Sequence, residues 1–420
     1  MTSAIQISTL DNGLRVATEP MDGVESASLG LWVGAGTRFE EPASNGVAHL
    51  LEHMAFKGTE RRAARQIAEE IEAVGGHLNA YTSREQTAYY SRILADDVPL
   101  ALDILSDILM NSTFEPTELE RERQVILQEI GQAADTPDDI VFDHFQMTAY
   151  PDQALGRPVL GTRDTVAQMP RQAIDTYLGQ TYTGPQMVLS ASGKVDHEQI
   201  VRLASEVFAK LDQSPAPPPQ AAQYSGGAYL EDKALEQVHV VIGLEGVGAY
   251  DPDLYALTIY SALLGGGMSS RLFQEVREER GLAYNIHSFT SIYRDSGLFA
   301  VYAGTGEGMV EELTGVICDQ LLEVQTTLDD EEIERARAQL RASILMSMES
   351  TMTRCEHLAQ NILTHDRPLS PAELGEKLNA VDRKSLIAVG ERLLASKPTV
   401  AVLGPTNGFD AHDHVVRRLA

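Results

Sequence analysis

Cysteine is nearly absent from these 420 residues: Cys318 and Cys355 are the only two, and neither belongs to a paired-cysteine metal motif. That leaves no paired-cysteine zinc site and favours two reduced, buried thiols in a reducing compartment over a disulfide framework. Long apolar runs are also missing. None reaches the roughly 18 residues that cross a bilayer, so no membrane partner is expected. The N-terminus has no cationic, apolar export signal. Ile5 and Ile7 instead alternate toward Leu10, and Asp11-Asn12-Gly13 supplies a hairpin turn. Basic residues are scarce, with 33 Lys and Arg against 61 Asp and Glu and a formal net charge of -28. This balance speaks against nucleic acid or an anionic membrane as partner, and either favours cationic ligands over distance or serves solubility alone, since net charge does not say where the charges sit. A phosphate loop is lacking too, since Leu264-Gly265-Gly266-Gly267-Met268 is not followed by Lys-Ser/Thr.

The length and the hydrophobic content of 43% suffice for two cores. Between Asp212 and Gly227 the run Ser214-Pro215-Ala216-Pro217-Pro218-Pro219 interrupts all periodicity and reads as an extended, semi-rigid linker. The expected division is therefore a half over 1–211, a linker over 212–227 and a second half over 228–420. Each half repeats one order: an apolar strand (Ser26 to Val33, Val238 to Leu244), a helix, a strand pair and two helices. Val98 to Met110 matches Met309 to Leu322, and Pro116 to Ile130 matches Asp330 to Ile344. With Leu119 opposite Ile333, Glu122 faces Ala336 and Glu129 faces Ser343, so the second half has small residues where the first has acids.

The chemistry of the first half concentrates in His49-Leu50-Leu51-Glu52-His53. In a helix, His49 and His53 stand one turn apart on one face with Glu52 beside them. Ser44, Asn45 and Gly46 give turn and N-cap chemistry, and Val47, Leu50, Leu51 and Met54 form the buried stripe. Neutral imidazoles and a carboxylate suit zinc, but a catalytic site needs three protein ligands and these histidines supply two. Thr117 with Glu120 reads as a capping box opening a helix whose stripe of Leu119, Ile126 and Ile130 also takes in Glu122 and Glu129. Helical position alone does not choose between metal ligands and acids on a solvated edge.

His49-Leu50-Leu51-Glu52-His53 followed by Glu129 resembles the inverted zincin signature of the pitrilysin family of metallopeptidases. Gly46-Val47-Ala48, Met54-Ala55-Phe56-Lys57-Gly58-Thr59, Gly76 to Thr82 and Gly156 to Thr162 resemble the branch that contains the mitochondrial processing peptidase beta subunit. So do Ser269 to Arg277 and Arg280-Gly281-Leu282-Ala283-Tyr284. The resemblance spans essentially the whole chain. It implies an α+β fold of two homologous halves, each a mixed or antiparallel sheet packed with helices, enclosing a central cavity. It implies one Zn2+ per chain on His49, His53 and Glu129, with Glu52 as catalytic base and Glu122 behind the ligands. Arg277 and Tyr284 would reach into the site across the cavity from a metal-free second half.

The alternating run His77 to Thr82, after the Gly75-Gly76 turn, reads as a half-buried strand; the resemblance makes it the edge strand to which the substrate is added, with Asn79 and Ala80 nearest the scissile bond. Peptides, basic ones among them, are the expected substrates. The assembly is expected to be a homodimer or a heterodimer with an inactive homologue. The cytoplasm of a bacterium is the expected location, with the mitochondrial matrix as alternative.

Overall fold

The computed structural model describes residues 4–420; the first three residues of the expected N-terminal hairpin lie outside them. In the first sheet, β1 (Gln6–Thr9), β2 (Arg15–Pro20), β3 (Ser26–Val33), β4 (His77–Thr82), β5 (Thr87–Leu94) and β6 (Met187–Gly193) lie in the order β1-β2-β6-β3-β5-β4. Only the β2/β6 pair is parallel. In the second sheet, β7 (Gly227–Glu231), β8 (Val238–Glu245), β9 (Ala283–Ile292), β10 (Gly297–Thr305) and β11 (Thr399–Leu403) lie in the order β7-β11-β8-β10-β9, and only β7/β11 is parallel.

Without β1, the two sheets have one topology: the first strand pairs in parallel with the last, and the remaining three form an antiparallel block. The α+β duplication expected from the repeat is thus present strand for strand. The helices follow, with Val98–Met110 and Pro116–Ala134 in the first half, Val310–Thr327 and Asp330–Ser347 in the second. Leu119 and Glu122 are buried at the positions where Ile333 and Ala336 are buried. The second-half counterpart of the His49 helix runs over Leu254–Gly265, so Gly266-Gly267-Met268 lies beyond its end.

The compact units depart from the expected continuous halves at two places. One unit comprises Met1–Gly131, Arg157–Gln220 and Met346–Leu369; the other comprises Gln132–Gly156, Ala221–Leu345 and Ser370–Ala420. The reason lies in the sheets. β3 is buried at seven of its eight residues, so both of its faces need cover. One face packs on helices from its own half, with Leu29, Leu31 and Val33 against Leu50, Leu102 and Leu105. The other face of the sheet presents Trp32 of β3 with Ala17, Ala88 and Val188 of its neighbours, which the Thr351–His365 helix covers with Cys355, Leu358, Ala359 and Ile362. In the second unit the Pro137–Ala149 helix does the same, packing Val141 and Phe145 on Val241, Ala300 and Tyr302. Each sheet is thus closed by a helix from the other half of the sequence. Residues 212–226 contain neither helix nor strand. Among the described residues, no helix is long and apolar enough to cross a membrane.

Candidate active site

The Val47–Ala55 helix buries Val47, Ala48, Leu50, Leu51, Met54 and Ala55, which leaves His49, Glu52 and His53 on the opposite side. Nine residues make a marginal helix by themselves, so its ends must be held from outside. Its N-cap is Gly46, at φ +96, and no capping side chain is contributed by Ser44 or Asn45. The cap comes from Glu40. Its Oε2 accepts from the Gly46 N–H at 2.9 Å and from Asn45 Nδ2 at 2.8 Å, and its Oε1 accepts from the Ala48 N–H at 2.8 Å. Burial pushes the Glu40 carboxyl up to about 7, while these donors and the Arg157 charge pull the other way. Gly46 also touches the segment around Gly161, itself at φ +78. A Cβ on Gly46 would stand 2.9 Å from the Gly161 Cα, and a Cβ on Gly161 would stand 2.6 Å from the Asn45 carbonyl oxygen. Only glycine fits at both positions.

His49 and His53 lie with ring centroids 4.7 Å apart. The Pro116–Ala134 helix brings Glu129 to them: its Oε2 is 3.8 Å from His49 Nε2 and 3.6 Å from His53 Nε2. The helix starts at Pro116, which puts Thr117 inside the first turn. The expected capping box is therefore absent, and the Glu120 carboxylate pairs with Arg123 at 2.5 Å. Glu122, one face with Leu119 and Ile126, accepts from His53 Nδ1 at 3.0 Å and from Lys57 Nζ at 2.7 Å.

These atoms fit a zinc ion. One ligand atom from each of His49, His53 and Glu129 lies within 4.8 Å of the others, and no other group of three metal-capable side chains does so among the described residues. Ligands about 2 Å from a tetrahedral zinc stand about 3.3 Å from one another, close to the separations seen. Burial, with help from the His53 charge, lowers the His49 pKa to about 4, so its imidazole is neutral and ligand-competent at neutral pH. Since an ionised carboxylate can only accept, Glu122 assigns the proton of His53 to Nδ1 and leaves Nε2 a free lone pair.

Glu52 lies outside the ligand group. Burial raises its carboxyl pKa, with the Glu129 charge adding to the rise, while Thr82 and His53 act against it. Its Oε2 is buried with no hydrogen-bond partner, and the neighbouring Thr82 hydroxyl likewise makes no hydrogen bond of acceptable geometry. A carboxyl with a raised pKa and a free oxygen beside a metal-type donor set is equipped to take up a proton and return it.

β4 is the edge strand, as expected, and Asn79 and Ala80 pair with Tyr90 and Tyr89 on its inner side. The Ala80 N–H donates to its neighbour Asn79 Oδ1 at 2.9 Å. Arg277 and Tyr284 belong to the second unit, where they meet. The guanidinium lies 4.3 Å from the Tyr284 ring centroid and 4.7 Å from that of Phe273. Arg277 sits on a π-helical turn, Phe273–Glu279, and Tyr284 is 78% exposed at the start of β9. Two contributors escape the sequence reading. Glu40 lies outside any local capping pattern, and Lys57 is marked only by following the metal helix.

Two histidines and a carboxylate converging on one point, with a free carboxyl alongside, are the donor set of a hydrolytic metal centre. The chain matches the family model described as Insulinase (Peptidase family M16) over residues 15–163 and that described as Peptidase M16 inactive domain over residues 168–340. It is 40% identical to an uncharacterized zinc protease of Rickettsia bellii over 408 residues, covering 97% of this chain and 99% of the relative. It is 37% identical to a probable mitochondrial-processing peptidase subunit beta of Arabidopsis thaliana, covering 98% and 81% respectively. A protease from Helicobacter pylori has the same fold, with a TM-score of 0.91 over 96% of this chain and all of that one at 21% identity. The chain belongs to the insulinase-type peptidase family M16.

Proposed function

We propose that the chain is a zinc-dependent endopeptidase that hydrolyses peptides or unfolded, presequence-like segments. The convergence of His49, His53 and Glu129 with Glu52 beside them carries this reading. His49, His53 and Glu129 would hold one Zn2+, which when bound supplies Lewis acidity for the scissile carbonyl and acidifies water. Glu122 holds the His53 ring through Nδ1. Glu52 accepts the proton of the attacking water at its free Oε2 and hands it to the leaving amine, restoring the carboxylate.

β4 receives the substrate backbone as an added strand, with main-chain pairing giving affinity and loose sequence preference. Asn79 occupies the Ala80 N–H that such a strand would use, so its side chain turns away as substrate docks. Tyr284 donates a hydrogen bond to the oxyanion that develops, and Arg277 fixes a substrate carbonyl or carboxylate. The excess of acidic residues favours basic peptides. The chain acts as a homodimer or beside an inactive homologue. A purely structural role is disfavoured, because a subunit freed from catalysis has no need to keep four such side chains together.

Glu52→Gln tests the reading. Metal analysis should find zinc undiminished, while cleavage of a mixed peptide library followed by mass spectrometry falls by about 10²–10⁴-fold. Unchanged cleavage would sink the mechanism.

A further inference from the structure

We propose that Lys57 is a positioning residue of the metal centre, acting through Glu122 to hold His53; the inference rests on the zinc reading above. Glu122 is a buried carboxylate, its side chain 6% exposed, and each oxygen has one partner: Oε2 takes His53 Nδ1 at 3.0 Å and Oε1 takes Lys57 Nζ at 2.7 Å. A buried charge needs a counter-charge to stay in place. His53 cannot supply one, because the imidazole that offers Nε2 to a metal is neutral. Among the described residues, Lys57 alone supplies it.

The backbone around Lys57 is built to present it. Its N–H closes the end of the metal helix by donating to the Met54 carbonyl at 3.1 Å. Gly58, at φ +120, turns the chain, and its carbonyl accepts from the Thr113 N–H at 3.2 Å. Thr59 then fixes the loop by donating from Oγ1 to Asp107 Oδ2 at 2.7 Å. The ammonium is thus placed from both sides by bonds that do not involve the metal ligands, and its stem is 31% exposed, so its removal opens no core cavity. Without it, Oε1 loses its partner and the carboxylate is drawn toward water. The His53 ring is then released to turn about its own side-chain bonds.

The test is zinc affinity of the full chain, measured by chelator competition in the unaltered protein, K57M, K57R, E122Q and K57M/E122Q, with the melting of each metal-free chain read in parallel. K57M should weaken zinc by about tenfold, the low end for groups that orient metal ligands. K57R should recover most of that loss, and the metal-free melting point should stay in place. In the E122Q background K57M should cost nothing further, because the route runs through Glu122. Zinc bound as tightly by K57M as by the unaltered chain would overturn the proposal, as would an equal loss in both backgrounds. An unaltered chain that holds no zinc in the same competition would instead overturn the zinc reading itself, and the two failures are distinguishable.

Discussion

Replacing Glu40 with alanine sets two large opposing effects against each other at the start of the Val47–Ala55 helix. The substitution orphans two buried donors, the N–H groups of Gly46 and Ala48, and takes from the Asn45 amide one of its two acceptors, leaving it the Pro158 carbonyl at 3.1 Å. At on the order of 1–3 kcal/mol each, that is several kcal/mol of lost stability. It also removes a carboxyl whose pKa burial pushes up to about 7. A group whose folded pKa is raised contributes stability that is complete below the unfolded value, near 4.5, and is lost as pH rises through 7. Between pH 5.5 and pH 8 that loss amounts to about 2 kcal/mol for a single proton.

Urea midpoints for the unaltered chain and Glu40→Ala, taken at both pH values, isolate this carboxyl because every other titrating group is common to the two. The variant should be destabilised at both, by about 2 kcal/mol less at pH 8 than at pH 5.5. A penalty that stays constant or grows toward pH 8 would refute the reasoning. It would show that the three donors and Arg157 outweigh desolvation and hold Glu40 as a carboxylate throughout.

Two further outcomes follow from the site. Glu129→Gln should lower zinc occupancy on metal analysis, since an amide oxygen replaces the third ligand; full occupancy would reassign that ligand. Arg277→Ala and Tyr284→Phe should each slow peptide cleavage by about tenfold or more with zinc intact, as loss of a group engaged in the transition state does. Full rates in both would detach the pair from catalysis.

The two histidines were legible because their information is local: four residues apart, they need only a helix to meet. Glu129 shares a stripe with Leu119 and Ile126, which left open whether it turns to a ligand or to water; only the family resemblance joined it to the histidines. The repeat was legible for the same reason, since strand and helix periodicity survives where the acids have become Ala336 and Ser343. Glu40 and Lys57 were not, because each acts through contacts that depend on how separate segments pack. The capping box failed because the helix already begins at Pro116, which puts Thr117 inside its first turn and not at its cap. The exchanged helices were invisible for a deeper reason. An amphipathic stripe such as Cys355, Leu358, Ala359 and Ile362 says that a helix must be covered, but not by which sheet.

That exchange bears on how the protein is made. The first sheet is complete once β6 ends at Gly193, but the helix that closes its Trp32 face spans Thr351–His365. At about 5–20 residues per second, a ribosome needs roughly ten to thirty seconds to supply it. Through that interval the first sheet carries an uncovered apolar surface, so the nascent chain has to be sheltered until the Thr351–His365 helix has been synthesised.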